Sequence, residues 1–373
     1  MMLNKGYRIR NYDFKLILMI LALSTIGVFA VGSAQQSVQQ RQLMGVIVGT
    51  FLMVVISLLD YTVLLKLYWL MYLGNLVLLL LVRFLGEETK GAQRWFQIPG
   101  GFRFQPSETA KILLILFFAQ FIMKHIEKFN TFRIIALCVL LVAVPWYLIY
   151  EQPDLSTSIV LIILFCIIMF AGGLNFKVIF ATLAVVIPAL ALLVALAMQP
   201  DSIVSEVLTN NQRGRILAFI YPDQYATTTA RQQLNSVTAI ASGMLNGKGY
   251  MNNEITSVKN GNFISEAQTD FIFAVIGEEF GFKGSLAVIL LEMLIALECI
   301  HVARRARDPA GTIIAASMGG LVGIQAFINI GVATFIMPTT GLTLPFVSYG
   351  LTSLISLFIG MGFVLNVRLQ ARR

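Results

Sequence analysis

The chain has 373 residues, 57% of them apolar and 12% charged, with a formal net charge of +8. A charged fraction about half that of a soluble domain excludes an ordinary water-facing surface, and unalternating apolar runs of about 20 residues exclude a membrane barrel. The basic excess lies in the connections between those runs, which is membrane topology and not a nucleic-acid surface, so no nucleic-acid partner is expected.

Predicted spans run over about 14–33, 44–59, 61–82, 107–123, 133–150, 157–172, 176–198, 271–300, 311–337 and 344–366. The first opens at Asp13-Phe14 and is followed by no small-residue cleavage site, so it reads as a retained span. The fourth and sixth are short and carry charged, Pro-containing segments at one end, a mark of spans lining a polar cavity. Lys5, Arg8, Arg10, Lys66, Lys124, Lys128, Arg133, Lys177, Arg304, Arg305, Arg307, Arg368, Arg372 and Arg373 fall on one side. The positive-inside bias makes that side cytoplasmic, with both termini on it, and the long loop at about 199–270 extracytoplasmic. The expected fold class is an all-α polytopic membrane protein of about ten transmembrane helices. It is a single membrane domain over 1–373 with its large loop between spans seven and eight. Cys138, Cys166 and Cys299 lie inside apolar runs, and His125 and His301 are isolated in loops, so neither disulfides nor zinc is indicated.

Polar clusters interrupt the pattern, all on the expected outer side. In RWFQIPGG (Arg94 to Gly101), Trp95 and Phe96 are interfacial belt aromatics, or Trp95 stacks on a sugar face. In FQPSETAK (Phe104 to Lys111), Pro106 suits a helix start, and Glu108 and Lys111 share a face three residues apart. They either neutralise each other so that the span inserts, or hold a diphosphate and a cation. In EQPDLST (Glu151 to Thr157), Pro153 breaks the helix and Asp154 is placed to cap the next, facing the compartment of Asp270, Glu108 and Arg94. The long loop exceeds a connector and holds Arg213, Arg215, an interfacial run from Ile216 to Tyr221, Gly247-Lys248-Gly249, and an Asn-rich stretch ending at Asp270.

Asp270 opens QTDFIFAVIGEEFGF, with Glu278 and Glu279 two to three turns deeper. A carboxylate at a membrane mouth needs solvation, a partner or a cation. Asp270 either complements the helix dipole or acts chemically, whereas Glu278 and Glu279 read as buried structural pairing. PTTGLTLPFVSYG (Pro338 to Gly350) implies a re-entrant or broken start to the last span, tolerated where backbone lines a polar cavity. All these clusters imply one outer cavity. No convincing internal repeat is present, which weakens an inverted-repeat transporter.

The motifs, in order, resemble those of the SEDS family (shape, elongation, division and sporulation), which includes RodA and FtsW. They are RWF, then QPSE with Lys111, then QPDLST, similar to the family's QPDLGT. SVTAIASGMLNGKG, TDFIFAVIGEE and LPFVSYG follow, similar to SLIAIGSGGLxGxG, HTDFIFAVxAEE and the family's C-terminal motif. The resemblance covers essentially the whole chain, closer to RodA than to FtsW in the loop and N-terminal spans. It implies ten spans in the bacterial cytoplasmic membrane, peptidoglycan glycosyltransferase activity on lipid II, and a class B penicillin-binding protein as partner. By motif, Asp270 matches the family's essential aspartate and is the expected base, while Trp95, Glu108, Lys111 and Asp154 match cavity positions. Gln268 stands where His is common, Ser156 where Gly is common, and Leu351 where a second Gly often occurs.

An α-linked diphosphate donor giving a β1→4 link implies inversion by single displacement. This needs a base at the acceptor 4-hydroxyl and positive charge at the leaving diphosphate. Lys111, Arg213, Arg215 or a divalent cation (Mg2+ or Mn2+) would supply that charge. A lipid II flippase is the alternative reading, and a scaffold that only docks its partner is a third. Polar residues clustered on one side favour the enzyme.

Overall fold

The computed structural model describes residues 12–89, 92–98, 102–152, 154–197, 210–251, 257 and 263–371. Lys5, Arg8, Arg10, Arg372, Arg373 and Pro153 lie outside them, as do 99–101 and most of the Asn-rich stretch.

The first three apolar runs become Phe14–Ala34 (α1), Gln36–Ser57 (α2) and, after the short Tyr61–Leu64 (α3), Tyr68–Leu85 (α4). Asp13 caps α1 by accepting from the Leu16 N–H at 3.1 Å, and Asp60 caps α3 through Thr62 N–H at 2.9 Å. Helix α2 starts well before the apolar stretch expected from residue 44, because the polar QSVQQRQ segment is helical although it carries no membrane signal. Hydropathy reads removal from water, not helix length.

The connection after α4 departs from an all-helical chain. Glu87–Thr89 (β1), Ala92–Ile98 (β2) and Phe102–Phe104 (β3) form an antiparallel sheet in the order β1-β2-β3, with Trp95 opposite Glu87 and Phe96 opposite Phe104. Next come Pro106–Lys124 (α5), Phe132–Tyr150 (α6), Leu155–Ala171 (α7) and Phe176–Ala197 (α8). The long loop contains Asn210–Ile220 (α9) and Arg231–Ser242 (α10). Ile272–Arg304 (α11), Pro309–Ala333 (α12) and Leu351–Leu369 (α13) complete the chain. Among the described residues, eight helices are long and apolar enough to cross a membrane, and α7 is a shorter apolar one. Helix α8 adds 22 residues with Lys177 as its one charge.

Helices α5, α12 and α13 are the most buried and form the centre. Around them α1, α2, α4 and α6 expose Leu18, Phe51, Leu70 and Leu140. Such faces are stable only against lipid. One end of the bundle gathers Asp13 with Glu298, Tyr61 with Asp308 at 2.7 Å, and Asp60 with Gln370 at 3.0 Å. Lys124 reaches Tyr68, and Asn130 binds Asn175, at this same end.

At the other end α11 is broken at Gly281, whose φ of 63° and ψ of −159° interrupt the ladder. A continuous helix would bond Phe282 N–H to Glu278 C=O and Lys283 N–H to Glu279 C=O. The GMLNGKG loop takes all four groups instead. Phe282 and Lys283 donate to Met244 and Leu245 carbonyls at 2.8 and 3.3 Å. Lys248 and Gly249 N–H donate to Glu278 and Glu279 carbonyls at 2.9 and 3.0 Å. The break therefore leaves no orphaned backbone in a region where an orphan is costly. The Lys248 ammonium adds an ion pair to Glu278 at 2.9 Å. Glu279 accepts from Ser33 at the end of α1. Glu279 is thereby held against the end of α1, and Glu278 and Glu279 are the buried, partnered side chains that the sequence suggests.

Gly281→Ala is expected to lower the melting temperature, because a Cβ there stands 2.9 Å from Asn246 backbone atoms at a φ reserved for glycine. Strain of about 1–3 kcal/mol is expected before the overlap is counted. The check is thermal unfolding in detergent beside Gly74→Ala, where a Cβ meets open space on helix α4. Equal melting of the two variants would remove the loop–kink lock.

Candidate active site

The polar end is assembled from segments far apart in sequence. Helix α10 caps α12: Gln233 Nε2 donates to the Val332 and Met337 carbonyls at 3.0 and 2.7 Å, and Ser236 Oγ to Ala333 at 2.7 Å. Val332 and Ala333 lie in the last turn of α12, where carbonyls lack i+4 partners, and Met337 follows just beyond the helix. The chain then turns through Phe335, at φ 61°, into the non-helical segment 338–350 that the two prolines imply. Helix α13 consequently starts at Leu351, later than the expected 344.

Segment 338–350 holds the backbone before α11 rung by rung. Tyr349 N–H donates to Gln268 C=O at 2.9 Å, Ser348 Oγ to Thr269 C=O at 2.6 Å, and Asn329 Nδ2 of α12 to Asp270 C=O at 2.8 Å. Gly341, at φ 85°, lies so close that a Cβ on it would stand 3.3 Å from Asp270 Oδ2. Asp270 and Arg215 line one cavity of about 260 Å³ with Thr228, Thr229, Gln232 and Gly341. Arg215 Nη1 donates to the Thr339 and Thr340 carbonyls at 3.4 and 3.3 Å. A carboxylate and a guanidinium share a polar recess, an arrangement suited to moving a proton at one point and stabilising negative charge at another.

A second polar layer lies beside it. Lys111 Nζ and Glu108 Oε1 pair at 2.8 Å, and the residues are 1% and 7% exposed. Asp154 caps α7 by accepting from Thr157 N–H at 3.1 Å, so its capping role is real. Its other oxygen accepts from Gln105 Nε2 at 3.2 Å, and Arg94 Nη1 lies 3.8 Å from its carboxylate. Arg94 is placed there by β2 and also donates through Nε to Gln152 C=O at 2.9 Å. The layers meet at Thr340, whose carbonyl accepts from both Ser156 Oγ and Arg215.

The Asp270 cavity and the Glu108, Lys111 and Asp154 layer are neighbours joined at the Thr340 carbonyl. Glu108, Lys111 and Asp154 are not among the lining residues of the Asp270 cavity, because they engage groups of their own layer. Trp95 on β2 and Arg213 on α9 are half-buried and also absent from that lining. The described side chains offer no ready-made cage for a divalent cation, which would have to take most of its ligands from elsewhere. Among the described residues no three His, Cys, Asp or Glu side chains converge on one point, and Glu108 and Asp154 already accept from Lys111 and Gln105. The three cysteines are unpaired.

Sequence reading missed Asn329, Gln232, Gln233 and Ser348. For Asn329 a signal existed: a lone amide in an apolar run is costly unless it has hydrogen-bond work to do. Gln232 and Gln233 offer no comparable signal, since a polar pair in a long polar loop is ordinary.

A family model described as cell cycle protein, covering FtsW, RodA and SpoVE, matches residues 12–373. A probable peptidoglycan glycosyltransferase FtsW of Geobacter metallireducens is 35% identical over 378 residues, covering 96% of this chain and 95% of the relative. The peptidoglycan glycosyltransferase MrdB of Escherichia coli K12 is 30% identical over 360 residues, covering 96% and 93%. A chain from a solved structure described as structural coordination of polymerization and crosslinking by a peptidoglycan synthase complex superposes with a TM-score of 0.78. It is 30% identical and covers 96% of this chain and 97% of that one.

Proposed function

Because the chain belongs to the SEDS family of FtsW, RodA and SpoVE, a family of multi-pass membrane proteins, we propose that its glycosyl transfer is carried out at the Asp270 cavity. The protein is a peptidoglycan glycosyltransferase of cell-wall synthesis. In this reading lipid II is the substrate, both termini are cytoplasmic, ten spans cross the membrane and the Asp270 end faces outward. The basic connections carrying Lys124, Lys128, Arg304 and Arg305 favour that orientation, since they all emerge at the Asp13 end.

The observation that carries the site is that Asp270 and Arg215 line one recess. Asp270 takes the proton of the acceptor 4-hydroxyl as its oxygen attacks the donor's anomeric carbon. The bond to the diphosphate breaks, the carbon inverts, and the electron pair leaves on the diphosphate, where Arg215 stabilises it. Arg213 and Lys111 extend the positive field, and Trp95 offers a stacking face near Arg94. The recess, about 260 Å³, is below the roughly 300–1,000 Å³ of a whole small-molecule site. It suits the reacting sugar and part of the diphosphate, with the lipid tail left along the helices. A Mg2+ or Mn2+ ion belongs in this reading to the substrate diphosphate, in keeping with a metal that takes few protein ligands.

The partner is a class B penicillin-binding protein, in line with the pairing of polymerization and crosslinking in the similar complex. Its single span would find an apolar face on α11, where Leu286, Met293 and Leu297 are exposed. The test is gel analysis of glycan strands made from purified lipid II by the chain with its partner. Long strands are expected. Lipid II translocation in liposomes without any polymer would replace this reading with the flippase.

A further inference from the structure

We infer that Asn329 is a positioning residue for glycosyl transfer, its buried amide tying the Asp270 backbone to the segment that walls the Asp270 carboxylate. The inference rests on Asp270 as the base and extends it to a residue outside the cavity lining.

Asn329 lies on α12 with 1% of its surface exposed. Its Nδ2 donates to the Asp270 carbonyl at 2.8 Å and to the Leu342 carbonyl at 2.6 Å, so both amide hydrogens are used. The amide assignment follows from chemistry, because a flipped side chain would aim its own oxygen at two carbonyl oxygens. Its Oδ1 is buried and has no hydrogen-bond partner, a state that costs stability. A side chain chosen only for packing at this depth would be apolar. The two donors explain why an amide stands there.

Leu342 follows Gly341, the residue against Asp270 Oδ2. Asn329 thereby fixes the carboxylate from two directions: the backbone that bears it and the backbone that it rests against. The rungs from Ser348 and Tyr349 hold Thr269 and Gln268, and Ser348 Oγ also accepts from Leu344 N–H at 2.8 Å, so that second tie reaches the segment two residues beyond Leu342 and holds Thr269, not Asp270 itself. Misplacing a base by about 1 Å is enough to cost about 100-fold in rate.

The experiment uses the full chain with its partner and lipid II, and compares Asn329→Leu, Asn329→Asp and Asp270→Ala with wild type. Asn329→Leu removes both donors at similar volume. Asn329→Asp keeps the shape and turns the donor into an acceptor facing two carbonyls. Both are expected to lower kcat about 10- to 100-fold with KM within about three-fold, since the lost interaction aligns the base and does not bind substrate. Asn329→Leu sheds the unpartnered Oδ1 but leaves the Asp270 and Leu342 carbonyls without that donor, so its melting temperature should fall and kcat is read per folded molecule. A purely structural role would lower the melting temperature and the yield of active protein while leaving kcat per folded molecule unchanged. That result, or a folded Asn329→Leu enzyme with wild-type kcat, overturns the inference. If the Leu variant does not fold, the isosteric Asp variant is read by the same criteria. Asp270→Ala separates the two readings: full turnover there removes the base itself, whereas an inactive Asp270→Ala beside a fully active Asn329→Leu removes only Asn329.

Discussion

Asp270→Asn, purified with its partner and supplied with lipid II, is expected to make glycan at a rate reduced by about 10²–10⁴, the usual worth of a positioned general base. The amide matches the carboxylate in shape and leaves the Asp270 carbonyl free to accept from Asn329. Melting temperature should therefore hold while turnover collapses. Asp270→Glu is a sharper probe. Its carboxylate is carried about one bond further toward Gly341, which already lies against Oδ2, so it too should be slow despite keeping the charge. A flippase predicts the opposite ordering, because charge and not position would matter to a polar translocation path. A scaffold predicts no dependence on Asp270 at all. Glycan strand length on gels, measured beside lipid II translocation in liposomes, separates the three.

What was legible follows from what each signal measures. Apolar runs report removal from water, whether into lipid as for α1 or into the bundle centre as for α5 and α12, so all three were visible within a few residues. The start of α2 at Gln36 was not, because a helix projecting beyond the lipid keeps its hydrogen bonds without apolar side chains. Strands β1 to β3 are short and polar and show no period to read. The break at Gly281 was hidden inside a run whose composition is helical throughout. It exists because GMLNGKG, about 30 residues earlier in the chain, supplies the four missing hydrogen bonds. At the site, Asp270, Lys111 and Glu108 were conspicuous because a charge near lipid always demands an explanation. Their division into two layers depends on Thr340 and on the Gln105 amide, which carry no charge and so gave no warning.

The buried pair in α5 gives the second large effect. Lys111→Met alone leaves the Glu108 carboxylate buried with its ammonium partner at 2.8 Å removed, and breaking such a pair typically costs about 3–5 kcal/mol. Glu108→Gln alone strands the ammonium in the same way. The double variant Glu108→Gln/Lys111→Met removes both charges and should recover most of the lost stability, because a matched neutral pair often equals or exceeds a buried ion pair. A strongly non-additive cycle in melting temperature is therefore expected for two side chains on one helical face. Activity distinguishes the two roles that stability cannot. If the pair only makes α5 insertable, the double variant polymerises lipid II at the wild-type rate once it is folded. If Lys111 also contributes its charge to the leaving diphosphate, the double variant is stable yet slow. The second outcome is expected here. Lys111 lies in the layer joined to Arg215 through Ser156 and Thr340, and a charge buried that deeply is costly to keep unless the site uses its field.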